Sequence, residues 1–429
     1  MTDAAVAPRA ASDPAALAAD YLEIRQRTLA LAAPLSAEDA MVQSMPEASP
    51  AKWHLAHTTW FFERMVLGAM EGYEPLHPDW DLLFNSYYHS LGRFHRRQAR
   101  GVLSRPSLEQ VVAYREAVDA RLSDALAGGR LGAAPCQRLV LGLHHEQQHQ
   151  ELLLTDIKHA LWCNPLQPAC DPALACGPTP PAAQHWVEFD EAVVEVGAPA
   201  WPGAGVGFAY DNESPVHRVL LAPFRLASRP VSNAEYREFI RDGGYRSAGL
   251  WLSDGWDRVC AEGWSAPLYW DPGLEAEFTL AGPRALDPDA PVAHLSGYEA
   301  DAFARWAGAR LPSEFEWERA ATPLPVEGNL ADAGRLHPGG PGRSPGGTLE
   351  RMFGDVWEWT SSAYTAYPGF RPLPGAVGEY NGKFMSGQQV LRGGSCATAG
   401  GHVRASYRNF FPPGARWQFS GLRLAGDAA

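Results

Sequence analysis

Apolar residues recur at three- and four-residue spacing through 51–70 (AKWHLAHTTWFFERMVLGAM). They do so again through 135–161, where Leu139, Leu143, Leu152 and Ile157 mark the stripe. This is the period of an amphipathic helix. Ser107 stands ahead of LEQVVAYREAVDARLSDAL with Gln110 three residues on, a capping-box start for another helix. Helical patterning over residues 14–160 predicts a four-helix, up-and-down bundle. The Pro-rich stretch PLQPACDPALACGPTPPAA at 165–183 breaks that pattern and reads as a linker. Beyond it, short β-like runs (HWVEFDEAVVEVG, HRVLLAPFRLA, QVLRGGS) are separated by long Gly-, Pro- and Trp-rich loops. Two helical patterns stand out there: SNAEYREFIRDG, with Ser232 as N-cap and Glu235 at its third helical position, and SGYEADAFARWAGAR. The segment GNLADAGRLHPGGPGRSPGG predicts almost no regular structure. The expected division is a helical domain at 1–164, a linker at 165–183 and an α+β domain at 184–429.

Composition narrows the function classes. A net charge of −13 offers no electrostatic footprint for nucleic acid or an anionic membrane. No window approaches 18 uninterrupted apolar residues, so no membrane span is expected. The N-terminus lacks a basic start followed by an apolar core, and the six cysteines include no CxxC pair. Both point to a cytoplasmic protein with reduced thiols.

The strongest chemical signal is HHEQQHQE at 144–151. His145 and His149 are four apart, so on a helix both imidazoles leave one face, as two ligands of one metal require. A single helical histidine is more often a packed core residue; a pair at this spacing is not. A third ligand is needed from a facing helix, and WHLAH supplies His54 and His57. Spacing alone leaves these two open. His145-Glu146-x-x-His149 also matches HExxH, in which Glu146 would be the general base of a zinc protease, but no third-ligand motif follows on that helix. The tract Asn85-Ser86-Tyr87-Tyr88 precedes five arginines between 93 and 105, which form a candidate anion site in an acidic chain.

Taken together, these motifs resemble the ergothioneine-pathway sulfoxide synthases, the EgtB family, over nearly the whole chain. WHLAHTTWFFE and LHHEQQHQELLLTDIKHAL resemble its DinB-like four-helix bundle. PVSNAEYREFI (230–240), PVAHLSGYEADAFARWAGARLPSEFEWERAA (291–321), GDVWEWTSS (354–362) and VLRGGSCATAGGHVRASYRNFFPPGARWQFSGLRLA (390–425) resemble its formylglycine-generating-enzyme (sulfatase-modifying factor) domain, which is related to the C-type lectin fold.

The resemblance implies a non-haem Fe(II) held by His57, His145 and His149, with a face open to substrates and O2. It implies hercynine contacts at Gln148, Asn409 and Phe410, although actinobacterial members tend to carry Trp after the Asn. The NSYY and HRRQARG tracts resemble the type that uses free cysteine. Tyr87 or Tyr88 would then supply a proton, and Arg97 and Arg100 would lie near the cysteine carboxylate. The implied reaction joins the imidazole of hercynine to cysteine, giving hercynylcysteine sulfoxide. The same chemistry with γ-glutamylcysteine, an ovothiol-type 5-histidylcysteine sulfoxide synthase and a DinB-type metal-dependent thiol transferase are the alternatives. Formylglycine-generating enzymes use a cysteine pair for copper; here Cys396 has no second Cys in GGHVRASYRN, and reads as a small buried hydrophobe.

Overall fold

The structure, a computed structural model, describes residues 14–175, 177–203, 205–340 and 348–428. Its helical half comprises α1 (Pro14–Ala32), α2 (Ala51–Met65), the short α3 (Trp80–Phe84), α4 (Leu108–Ala127) and α5 (Ala133–Cys163). The four long helices form the expected bundle, α2 packing on α4 and α5, and α1 on the same pair. The α4 start is as predicted: Ser107 Oγ accepts from the Gln110 amide at 3.2 Å, and Gln110 Oε1 accepts from the Ser107 amide at 2.9 Å. The α2 helix is shorter than its periodic run. After Val66 it tightens into a 3-10 turn at Leu67–Ala69, where Gly68 lowers the helical preference. Every α2 residue except Arg64 is buried, so this helix is the axis of the bundle and carries its polar groups inward.

Gly142 allows that burial. A Cβ on it would lie 2.5 Å from Phe62 Cε1 and 3.1 Å from Phe61 Cε1. Without a side chain there, α5 comes close enough to α2 for histidines of the two helices to meet.

The second half is α+β. In chain order it holds β1 (Trp186–Phe189), β2 (Ala192–Val196), β3 (His217–Leu221), β4 (Phe224–Ala227), β5 (Ala276–Thr279), β6 (Gly282–Ala285), β7 (Gly328–Asn329), β8 (Phe353–Gly354), β9 (Trp357–Ala363), β10 (Gln389–Arg392), β11 (Asn409–Phe411), β12 (Ser420–Gly421) and β13 (Ala425–Asp427). One sheet has the order β1-β4-β13 and another β11-β10-β9-β12, in which only β12 joins in parallel. The runs HWVEFDEAVVEVG and HRVLLAPFRLA each break into two strands that serve different pairings, β1 with β4 and β2 with β3. The two predicted helices are α6 (Asn233–Arg241) and α8 (Gly297–Trp306), and two more accompany them, α7 (Ser253–Glu262) and α9 (Glu314–Ala321). Neither stood out in the pattern, although Ser313 and Glu316 form a capping box at α9. The segment expected to lack structure contributes β7, which pairs with β8; its residues 341–347 lie outside the described residues.

The Pro-rich segment is not slack. The amides of Cys170 and Asp171 donate to Leu280 O, and that of Thr179 donates to Asp287 at 2.8 Å. Side chains of α5 also cross between the halves. Glu151 accepts from Trp357 Nε1 and Thr398 Oγ1, both at 2.8 Å, and from Ser395 Oγ. Lys158 Nζ lies 2.7 Å from His294 Nε2. Cys396 is fully buried in the seam. Among the described residues no helix is long and apolar enough to cross a membrane.

Candidate metal centre and substrate pocket

His57 enters from α2, and His145 and His149 from successive turns of α5. One ring nitrogen from each lies within 4.8 Å of the other two. His57 Nδ1 donates to Phe84 O at 2.6 Å, which leaves Nε2 without a hydrogen in the neutral ring. That bare nitrogen faces His145 Nε2 at 3.2 Å. In neutral rings this contact is closed by a hydrogen on His145 Nε2 or by a cation that takes its place, so the arrangement is compatible with a metal. Burial, reinforced by neighbouring histidines, depresses the His57 and His149 pKa values well below 6.5. Burial also lowers His145 to about 3. All three are neutral at pH 7, the state in which imidazole binds a metal. The His57 ring is stacked against Trp53, with centroids 4.5 Å apart and planes 11° apart.

His54 and His57 separate clearly. Both nitrogens of His54 are engaged: Nδ1 meets His149 Nδ1 at 2.8 Å and Nε2 meets Asp156 Oδ2 at 3.1 Å. His57, not His54, belongs to the group whose ring nitrogens all lie within 4.8 Å of one another.

Glu146 has no part in this cluster. It is fully buried, accepting from Arg25 Nη1 at 3.0 Å, Thr28 Oγ1 at 2.6 Å and Arg115 Nη2. Burial opposes its ionisation, but Arg115 and Arg25 outweigh that and hold its pKa below the usual value. A carboxylate so committed cannot serve as a metalloprotease base, and the HExxH match is coincidental.

His145 and His149 open onto a cavity of about 310 Å³ between the two halves. A larger surface hollow of about 890 Å³, beside Trp80, Arg93 and Arg105, holds none of them. From the bundle, Trp53, Ser86, Tyr87, Arg97, Arg100 and Gln148 border the cavity; from the second half, Asn409 and Phe410 on β11 do so, with Tyr380, Tyr407 and Trp417. Of the site residues expected from sequence, all but His57 and Tyr88 therefore border it; His57 meets His145 behind the cavity wall.

Tyr88 is fully buried behind Tyr87, the rings 4.8 Å apart, and packs on Trp60 and Phe61. Arg97 and Arg100 lie on a 3-10 helix (Arg97–Val102), whose three-residue turn places them on one side. Arg100 is buried, donates to Ser49 Oγ at 2.8 Å and Ser86 Oγ at 3.1 Å, and makes no ion pair among the described residues. Phe410 stacks flat on Tyr364, with centroids 4.0 Å apart. Asn409 Oδ1 accepts from the Phe410 amide at 2.9 Å.

Sequence reasoning missed Tyr380. Its ring lies 5.5 Å from that of His145, and its hydroxyl donates to Gln148 Oε1. Gln148 Nε2 in turn donates to Tyr407 Oη at 2.5 Å. Glu379 places this loop by accepting from the His89 and Ser90 amides, each at 3.0 Å. Burial raises the Tyr87 and Tyr380 pKa values above the ordinary phenol, so both are protonated at pH 7.

Comparison with known proteins places this geometry in context. The DinB superfamily matches residues 21–153, and the sulfatase-modifying factor enzyme 1-like domain matches 189–336 and 335–428. The hercynine oxygenase of Mycolicibacterium smegmatis is 36% identical over 95% of this chain and 98% of its own. That of Mycolicibacterium thermoresistibile is 34% identical over 100% and 97%. Ergothioneine biosynthesis protein 1 of Schizosaccharomyces pombe is 30% identical over 51% of this chain and 27% of its own.

Proposed function

We propose that this chain, which belongs to the hercynine oxygenase family, joins the imidazole of hercynine to the sulfur of free cysteine and yields hercynylcysteine sulfoxide. The reaction balances with O2 as sole oxidant. The imidazole C–H and the thiol S–H are lost, a C–S bond forms, one oxygen atom ends on sulfur and the other leaves as water. The observation that carries the reading is the three-histidine cluster opening onto a cavity walled by both halves of the chain. His57, His145 and His149 would hold an iron(II), which supplies O2 activation and a site for the substrate thiolate.

The protein groups do the rest. Arg97 and Arg100 receive the cysteine carboxylate, since a guanidinium binds a carboxylate through two parallel charge-assisted hydrogen bonds. Gln148, Asn409 and Phe410 form the hercynine wall. The trimethylammonium group has no N–H to donate and is matched by aromatic faces. Tyr87, backed by Tyr88, holds a phenolic proton at the cavity edge, and Tyr380 holds a second one nearer His145.

The test is anaerobic loading with Fe(II), then addition of hercynine, thiol and O2, with products read by mass spectrometry. Hercynylcysteine sulfoxide carrying one oxygen atom from labelled O2 is expected. Turnover with γ-glutamylcysteine alone would overturn the cysteine assignment, and thiol transfer without O2 consumption would overturn the oxygenase reading.

A further inference from the structure

Asp156 lies two turns beyond His149 on α5, and its Oδ2 takes two hydrogen bonds, from the Ser49 amide at 2.8 Å and from His54 Nε2 at 3.1 Å. A carboxylate only accepts, so the hydrogen of that second contact sits on His54 Nε2. In a neutral imidazole the other nitrogen, Nδ1, is then a bare lone pair. Facing it at 2.8 Å is Nδ1 of His149. That contact closes only if His149 Nδ1 carries the hydrogen, which leaves His149 Nε2 bare.

We infer that His54 and Asp156 are a positioning pair, outside the metal's own ligands, that sets the tautomer and ring orientation of His149. The inference rests on the reading of His57, His145 and His149 as ligands. It parallels the Phe84 carbonyl at His57, which fixes that ring in the same sense. His145 Nδ1 makes no hydrogen bond among the described residues. Two of the three imidazoles are therefore set by protein acceptors, one by a single carbonyl and one by a two-step relay from a carboxylate. A metal-binding imidazole whose second nitrogen donates to an acceptor is held in register and made more basic, and loss of that acceptor costs roughly 10–100-fold in metal affinity.

The relay distinguishes substitutions that simple loss of packing would not. Asp156→Asn can keep an oxygen toward Ser49 and His54, and so preserves the hydrogen-bond directions; Asp156→Ala cannot. His54→Asn can set its carboxamide oxygen near the former Nδ1 position and accept from His149; His54→Ala cannot. Metal affinity is measured by anaerobic equilibrium dialysis of the full chain with Fe(II). The tautomer of His149 in the metal-free protein is read from its 15N shifts after selective histidine labelling. The expected result is a His149 tautomer with hydrogen on Nδ1 in the unaltered chain and in the two Asn variants. Both Ala variants are expected to show a mixed tautomer and about 10–100-fold weaker Fe(II) binding. Full-strength binding in both Ala variants, or hydrogen on His149 Nε2 in the unaltered metal-free chain, overturns the inference. His57→Ala, measured alongside, isolates the underlying reading: undiminished Fe(II) binding there would mean that the ligand set itself is wrong. Should His54→Ala not fold, the two Asp156 variants decide alone.

Discussion

The guanidinium carbon of Arg100 lies 3.3 Å from the centroid of the Trp53 indole, the ring that also stacks on His57. With no carboxylate paired to it among the described residues, this buried cation stands one aromatic ring away from the histidine cluster. Burial, with Arg97 beside it, pushes the Arg100 pKa down, which favours arrival of an anion. Arg100→Lys removes the planar fork while keeping the charge. The apparent constant for cysteine is expected to rise about 10–150-fold, from loss of ~1.5–3 kcal/mol, while that for hercynine stays the same. An equal rise in both constants would place Arg100 in general support of the cavity instead of the thiol site.

Tyr87 and Tyr380 border the cavity, and Tyr88 stands behind Tyr87. Replacing Tyr87 or Tyr380 with Phe should spare substrate binding and divert turnover from the sulfoxide toward cysteine sulfinate, whereas Tyr88→Phe should act mainly on stability. A positioned general acid contributes about 10²–10⁴-fold. Unchanged sulfoxide yield in Tyr87→Phe, Tyr380→Phe and their double variant would remove both phenols from proton transfer.

Gly142 should tolerate nothing larger. In Gly142→Ala the added methyl meets the Phe62 ring edge, and overpacking of this kind costs about 1–3 kcal/mol. Because the same contact sets the α2–α5 distance, Fe(II) affinity is expected to fall with stability. Denaturant unfolding and dialysis on one sample check both; loss of stability with unchanged affinity would show that the histidine cluster adjusts independently.

Glu146→Gln should behave in the opposite manner. Arg25 keeps Asp119 at 2.7 Å, but Arg115 loses its carboxylate and becomes an uncompensated buried charge, a loss of about 3–5 kcal/mol in stability. Per folded molecule, metal content and turnover should persist. Abolished turnover in a chain that still folds and holds metal would restore a catalytic role for this carboxylate.

Buried neutral histidines also predict how stability follows pH. Burial, aided by Arg404, lowers His402 from 6.5 to about 3. Between those values the unfolded chain takes up a proton that the folded chain refuses. The contribution is therefore complete above pH 6.5 and is lost as the pH falls toward 3. The slope approaches about 1.4 kcal/mol per pH unit. Urea unfolding of His402→Asn at pH 7.0 and 5.5 should show a flatter dependence than the unaltered chain, and an identical slope would mean that His402 is not held neutral.

Much of the site was legible because it is helical. His145 and His149 announce themselves by spacing, and Ser107 and Gln110 mark the start of α4. The choice between His54 and His57 was not legible in spacing. It depends on which ring brings a nitrogen close to both His145 and His149, and the groups that orient the two rings, Asp156 and the Phe84 carbonyl, come from distant turns with no local signature. Tyr380 was hidden for a related reason. Residues 371–388 carry no periodicity, and their position follows from Glu379 gripping two amides nearly 290 residues earlier in the chain. The strands were visible as β-like runs, but their division between sheets was not, since partner choice is a long-range property.

Glu151 sits two residues past His149 on α5, yet its hydrogen bonds lie in the other half, at Trp357, Ser395 and Thr398. The helix that presents two of the three imidazoles is thereby anchored from outside its own bundle. A displacement of the 393–398 loop would slide or rotate α5 and be felt at His149 within a single turn. The histidine geometry is thus calibrated by the very domain that walls the opposite side of the cavity. A bundle grafted onto a foreign partner would keep its histidines and lose their alignment.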